Sequence, residues 1–410
     1  MVLPASRRAL GYGIIMPVRG ADGMNRKQRR AGPKAGQNSA PAKAVEARDS
    51  LTLHAMGVEA CRAGRLDDAA RPIAQAIAAD GTMPDFHYNL AIVLKAQGKL
   101  RDAAASYARA IALRPDYGDA HNNLGNVWKA LGMRDKARAC FEAALRAVPG
   151  HADSHYNLGI LHGEAGEHGP AVRHFRQCLD SDPQDGRGAA ILMAHLGAAA
   201  APRQTPPAHL LNLYDVRAQF WDKEAGYFGA ALAAQALQAH AARGALDILD
   251  IGCGTGLAGV LARPLAARLD GVDLSPAMLE KARSKGVYDR LDRCDFVTTM
   301  SERPGRYDAV LAAAALIHHG DLAGIFQATA TCLRDNGLFV FTLFLAKAGD
   351  FAAASNYRLA QSGCFEHGGD YVRRLAENHG FSVATLEQVI HERDQDGNEI
   401  SGLVAVLRLS

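Results

Sequence analysis

At 410 residues, 48% apolar and 22% charged, the chain has an ordinary globular composition and the length for two or three domains. No apolar run approaches the roughly eighteen residues a bilayer crossing needs. The most hydrophobic stretch, around Leu338 to Ala346, has the length of a strand, which excludes a helical membrane span. The formal charge of +3 is unevenly placed, because residues 1–50 hold ten Lys/Arg against three Asp/Glu and the remainder 36 against 40.

Residues 1–49 read as a disordered basic tail. Arg26-Lys27-Gln28-Arg29-Arg30 is followed by Gly, Pro, Ala and Ser up to Ala44, too polar and breaker-rich to offset the entropy of ordering. No aromatic residue interleaves with the charges, so a solvated tail is expected and nucleic acid is not an expected partner. The first residues lack a long apolar region with a cleavage site, which argues against secretion, and Met24 is an alternative start. Seven cysteines, an odd number without CxxC or His-rich pairing, predict reduced core thiols and a cytoplasmic location.

From Ser50 the chain repeats every 34 residues, in copies starting near Ser50, Pro84, Gly118 and Ala152. Places seven and eight pair a large with a small residue: Met56-Gly57, Leu90-Ala91, Leu124-Gly125 and Leu158-Gly159. Place fifteen is Gly64, Gly98, Gly132 and Gly166; place twenty is Ala69, Ala103, Ala137 and Ala171; place twenty-four is Ile73, Tyr107, Phe141 and Phe175. Small residues let two helices approach, the glycine ends the first, and the bulky residue packs between them. Residues 50–187 thus resemble four tetratricopeptide repeats, an all-α superhelix. Asn89, Asn123 and Asn157 recur at place six, where an amide either reads the backbone of a peptide in the groove or bonds locally. Asp85, Asp119 and Asp153 at place two disfavour the basic carboxylate clamp of some relatives, and Lys95 and Lys129 leave the sign of a bound peptide open. Residues 188–209 read as a terminal capping helix and a linker marked by Pro202, Pro206 and Pro207.

Residues 210–410 change to short apolar strands alternating with helical segments, the pattern of a parallel sheet covered on both faces. The strand Leu246 to Ile251 runs into Gly252-Cys253-Gly254-Thr255-Gly256, and Asp273 ends the next strand about twenty residues on, where a carboxylate accepts both hydroxyls of a ribose. A nicotinamide dinucleotide and S-adenosylmethionine are both compatible with that much. The spacing of the third glycine, and Asp250 just before the loop, depart from the usual dinucleotide pattern. The strings Asp250-Ile251-Gly252-Cys253-Gly254-Thr255-Gly256 and Gly271-Val272-Asp273-Leu274-Ser275-Pro276-Ala277-Met278-Leu279 closely resemble the class I S-adenosylmethionine-dependent methyltransferases. Together with the repeats and the segment Gly363-Cys364-Phe365-Glu366-His367, they resemble a bacterial group of repeat-containing methyltransferases.

The resemblance implies a Rossmann-like domain with a mostly parallel seven-stranded sheet whose last strand is antiparallel. Further strands are expected at Tyr307 to Ala312, Gly337 to Phe344, Phe381 to Val389 and Leu403 to Leu409, the last two joined by a hairpin at Asp396-Gly397. It also implies that the glycine loop lies against the methionine moiety of S-adenosylmethionine, that Asp273 binds ribose, and that Asp295, with Phe296, reaches the adenine. Leu274 and Met278 would wall the adenine, although Met278 also suits a helix core, and Tyr214 would contact the cofactor or anchor its own helix. The acid that relatives carry after the fourth strand is absent from Ala312-Ala313-Ala314-Ala315-Leu316-Ile317-His318-His319-Gly320-Asp321. His318 and His319 are the candidate bases for an acceptor that must lose a proton, ahead of His367. No metal-ligand constellation appears. Three functions compete: a methyltransferase whose repeats recruit a protein or peptide, a small-molecule methyltransferase using its repeats for assembly, and a non-catalytic adaptor that binds S-adenosylmethionine.

Overall fold

The computed structural model describes the backbone of residues 40–223, 226–241, 245–346, 356–394 and 396–410. The basic run Arg26 to Arg30 and the alternative start Met24 lie outside them. The chain divides into two units, Met1–Ser181 and Asp182–Ser410.

In the first unit the described helices form four consecutive pairs: α1 (Ala40–Arg62) with α2 (Leu66–Ala79), α3 (Pro84–Ala96) with α4 (Leu100–Leu113), α5 (Gly118–Ala130) with α6 (Arg134–Ala147), and α7 (Ala152–Glu164) with α8 (His168–Ser181). Helix α1 begins ten residues before the expected start, taking in residues assigned to the tail, because Pro41 suits a helix entrance and the alanine-rich run after it favours helix. Gly64, Gly98, Gly132 and Gly166 are left-handed, with φ between +74° and +77°, and turn each first helix into its second. A Cβ on Gly125 would lie 2.5 Å from the Phe141 ring, and one on Gly159 2.5 Å from Phe175. The small residue of place eight is therefore what allows the bulky residue of place twenty-four to be fully buried.

Polar side chains join successive repeats. The Asn89 amide nitrogen lies 2.8 Å from His54 Nε2, Asn123 Nδ2 donates to the Tyr88 hydroxyl at 2.9 Å, and Asn157 Nδ2 donates to Asn122 Oδ1 at 3.0 Å. Each asparagine thus reaches the place-five residue of the repeat before it. Two of the place-two aspartates bond within their own repeat, Asp85 accepting from Tyr117 at 2.8 Å and from Arg114 at 3.0 Å, and Asp119 pairing with His151 at 3.1 Å.

The second unit opens with α9 (Ala189–His195) and α10 (Pro207–Arg217). Helix α9 forms where a repeat cap was expected, but it belongs to this unit, where His195 Nε2 donates to the Ala360 carbonyl at 2.9 Å. After α11 (Gly229–His240) come β1 (Leu246–Ile251), α12 (Leu257–Ala262), β2 (Ala266–Asp273), α13 (Pro276–Ser284), β3 (Arg290–Arg293), α14 (Phe296–Ser301), β4 (Tyr307–Ala312), α15 (Ala323–Cys332) and β5 (Leu333–Leu345). Two short strands, β6 (Tyr357–Leu359) and β7 (Phe365–His367), precede α16 (Gly369–Asn378), β8 (Phe381–Arg393) and β9 (Glu399–Leu409). Strands β3, β2, β1, β4 and β5 lie side by side and parallel; β9 is antiparallel to β5 and β8 to β9. The described sheet has nine strands rather than the expected seven, because β7 adds alongside the end of β5 and β6 pairs with β7. Three residues are too few to show the period-two pattern by which strands are recognised.

Alternation along the strands splits the core in two. Leu249, Ile251, Val310 and Phe341 face a cluster with Phe326 and Phe381, while Ile248, Leu311 and Val340 face another with Leu237 and Leu269. Strand order reverses between β1 and β4, so the loops after β1, β2 and β4 open at one edge, the usual place for a ligand in such sheets. All seven cysteines are free, and no described helix is long and apolar enough to cross a membrane.

Candidate active site

The loop after β1 is shaped by three left-handed glycines, Gly252, Gly254 and Gly256, with φ of +61°, +54° and +89°. A Cβ on Gly252 would collide with Ala315 at 2.6 Å, whereas Gly254 faces open space. Asp273, at the end of β2, grips this loop: Oδ2 accepts the Gly254 amide at 2.9 Å and Oδ1 the Ser275 amide at 2.8 Å. Each oxygen keeps a further lone pair. Burial pushes the pKa of Asp273 up, and the backbone hydrogen bonds from Ser275 and Gly254 work against that rise.

Asp250, the last residue but one of β1, is buried with Tyr288 donating to Oδ2 at 2.7 Å. Its Oδ1 has no partner among the described residues. Burial pushes its pKa to about 7, the Tyr288 hydrogen bond opposing and Asp273 adding. Cys253 is buried and its thiol is pushed far up by burial, so it is inert packing in the loop.

Residues 203–223 cross the three strand-end loops as a strap. Thr205 N donates to the His318 carbonyl and Gly320 N to the Arg203 carbonyl, each at 2.8 Å. The Tyr214 hydroxyl and His318 Nε2 are hydrogen-bonded at 2.6 Å. Asp215 accepts from Ser275 Oγ after β2, and Asp222 accepts from Thr255 Oγ1 after β1 while pairing with Lys285 at 2.6 Å.

His318 is buried, its Nδ1 lacks a described partner, and burial pulls its pKa down to about 3. His319 stacks edge-on against Phe296 at 5.4 Å and is pulled to about 4, again by burial. His367 donates from Nε2 to the Gly320 carbonyl at 3.0 Å and is likewise held at about 4. All three are neutral at pH 7, able to accept a proton but weakly basic. Ala314, in the loop where relatives carry an acid, is left-handed at φ +58°; its amide donates to Thr342 Oγ1 at 2.9 Å, and Thr342 lies 3.0 Å from His391 Nε2. A non-glycine residue so held marks a loop shaped for more than connection.

The strand ends therefore bring together Gly252, Cys253, Gly254, Thr255, Gly256, Asp273, Leu274, Tyr214 and His318. Met278 is almost fully buried in α13 and belongs to the core. Asp295 is exposed and caps α14, accepting the Thr298 amide at 3.0 Å, while Phe296 reaches the loop after β4 through His319. Asn89, Asn123 and Asn157 lie in the first unit, buried, with their amide nitrogens engaged by the preceding repeat rather than open to a groove. Tyr288 escaped the sequence reading, and so did the loop contacts of Asp215 and Asp222. The residues suit a nucleoside with a cationic tail: two carboxylates at adjacent strand ends, one with an unpartnered oxygen, beside a glycine cradle that side chains would fill.

Residues 248–337 match the family model described as a methyltransferase domain. Residues 116–184 match a tetratricopeptide repeat model, and residues 93–132 a TPR repeat model. Over 145 residues the chain is 32% identical to a probable S-adenosylmethionine-dependent methyltransferase of Saccharomyces cerevisiae, covering 33% of this chain and 50% of that protein. Over 75 residues it is 47% identical to human methyltransferase-like protein 27, covering 17% and 29%. Among solved structures, a Burkholderia thailandensis 1,6-didemethyltoxoflavin-N1-methyltransferase with bound S-adenosylhomocysteine matches at 21% identity and a TM-score of 0.40, covering 50% of this chain and 87% of that one. The chain spans no more than about half the length of the curated relatives it matches. The sequence matches thus set residues 248–337 beside methyltransferase domains, one relative being named as a probable S-adenosylmethionine-dependent enzyme, and set residues 93–184 beside tetratricopeptide repeats.

Proposed function

We propose that the protein transfers a methyl group from S-adenosylmethionine to an acceptor that is, or is held by, a protein or peptide recruited through the repeats. One observation carries the donor half of this reading: Asp273 bonds the glycine-loop amide of Gly254 across adjacent strand ends and keeps lone pairs for two ribose hydroxyls. Gly252 to Gly256 would hold the methionine moiety, Leu274 and Phe296 would flank the adenine, and Asp295 would accept from its amino group. Tyr214 closes the site from the strap. S-adenosylmethionine supplies an activated methyl group, so the protein's work is chiefly positioning. His318, already neutral and bonded to Tyr214, or His319, takes the acceptor's proton. Their weak basicity favours an acceptor whose proton is acidic, or one that has none to lose. Surfaces of helical repeats commonly hold extended segments of other proteins, which supports recruitment. Free thiols fit a reducing cytoplasm.

Incubation of the full chain with methyl-labelled donor and cell extract tests the whole reading. Label in protein supports recruitment; label in small molecules alone transfers the acceptor to that class; label in neither leaves a non-catalytic adaptor. Binding of a nicotinamide dinucleotide in place of S-adenosylmethionine would overturn the donor assignment.

A further inference from the structure

Three glycines around the cradle share one neighbour. A Cβ on Gly256 would lie 3.0 Å from the Tyr288 ring, one on Gly271 2.8 Å from it, and one on Gly259 2.2 Å from its hydroxyl. Gly256 needs glycine for its left-handed backbone, but Gly259 sits within α12 and Gly271 within β2, where glycine is a poor choice on conformational grounds. Room for a single ring accounts for both. That ring, from the segment between α13 and β3, lies against α12, β2 and the glycine loop at once, and its hydroxyl donates to Asp250.

We propose that Tyr288 is a positioning residue for the donor: its ring sets the glycine loop against β2, and its hydroxyl fixes the Asp250 carboxylate as the counter-charge to a cationic ligand. The inference rests on the donor reading above. S-adenosylmethionine carries a sulfonium and an ammonium, and a carboxylate in a water-poor strand end attracts such charges strongly. Four groups from the packed elements bear on Asp250: Tyr288, Asp273 of β2, Cys253 of the glycine loop and Tyr227 just before α11. Burial and Asp273 both favour the protonated acid, and the Tyr288 hydroxyl is the group that favours the carboxylate. Removing that hydroxyl raises the pH needed to keep Asp250 charged.

Calorimetric titration of the full chain with S-adenosylmethionine, from about pH 6 to about pH 9, compares the parent with Tyr288→Phe, which keeps the ring. We expect roughly tenfold weaker binding near neutral pH, from losing one hydrogen bond to a charged group, and a half-loss point displaced to higher pH. Asp250→Asn serves as the second variant, expected to bind weakly and with no inflection near neutrality. Parent-like affinity and pH profile in Tyr288→Phe overturn the proposal, as does a loss that is equal at every pH, which would make Tyr288 packing alone. Parent-like binding by Asp250→Asn overturns it as well. A parent that gives no binding heat removes the donor reading itself, an outcome distinct from a variant that fails beside a parent that binds.

Discussion

The two units spend their buried polar groups differently. In the repeats, recurring asparagines and aspartates are consumed by one another's neighbours: Asn123 by Tyr88, Asn157 by Asn122, Asp85 by Tyr117 and Arg114. At the strand ends of the methyltransferase domain, Asp250 Oδ1 and His318 Nδ1 are buried with no described partner. A buried polar atom without a partner is costly; in the repeats Gln97 Oε1 and Tyr107 Oη are such atoms too, but Thr205 Oγ1, Asp250 Oδ1 and His318 Nδ1 lie together around the loops after β1 and β4. Chemistry is thus to be sought where such atoms gather at one sheet edge.

The largest effect that tests this contrast is on stability. Phe141→Ala empties the space opposite Gly125 and should cost about 3–5 kcal/mol in chemical denaturation of the repeats, with donor affinity unchanged. A lost donor site in that variant would break the division of labour. Next, Asp273→Ala should weaken S-adenosylmethionine binding by roughly a hundredfold or more in calorimetry, since ribose acceptors and the tie to Gly254 go together. Parent-like affinity there would sink the site.

Acid should separate the units further. Burial holds His318 at about 3 and His319, His367 and His391 at about 4 in the methyltransferase domain. Unfolded, these groups take up protons near 6.5, so between about pH 6.5 and pH 4 the unfolded state binds more protons and stability falls as pH falls. Asp250, raised to about 7, runs the other way, as do Asp273 and Asp185, which burial also raises; His209, lowered by burial, joins the four histidines against them. In the first unit, His174 is the described histidine pushed as low as about 4. Trp128 and Trp221 report the two units in denaturation followed by fluorescence, each with the other tryptophan replaced by phenylalanine. The Trp221 transition should lose more midpoint between pH 7 and pH 5; equal losses would contradict the assignment.

Smaller effects sharpen the site. Tyr214→Phe should slow methyl transfer by roughly tenfold, with donor affinity changed much less, because the hydroxyl bonds His318 rather than the glycine loop. A purely structural role would instead appear as loss of binding with turnover intact. Asp222→Ala, on an exposed pair with Lys285, should weaken donor binding by no more than about threefold, and less at high salt.

How much was legible in advance follows from spacing. A 34-residue period written four times exposes its small and bulky places without any structure, and β1 and β4 begin and end where the apolar runs do. The left-handed glycines after β1 and the place of Asp273 at the end of β2 were legible for the same reason, as local patterns. The asparagine ladder was not, because its partners stand 35 residues apart, one place out of register with the repeat. Tyr288 carried no signal of its own; three distant glycines meet it only after folding. The additional strands β6 and β7 were too short to register, and the alanine-rich start of α1 was hidden by the polar composition around it.

The strap across the strand ends has a kinetic meaning. A ligand that left the strand ends past residues 203–223 would break bonds at Thr205, Tyr214, Asp215 or Asp222. On the proposed function, unfastening of that clasp should clock turnover, and spent cofactor should depart in stopped-flow displacement no faster than the clasp opens, with Asp222→Ala departing sooner.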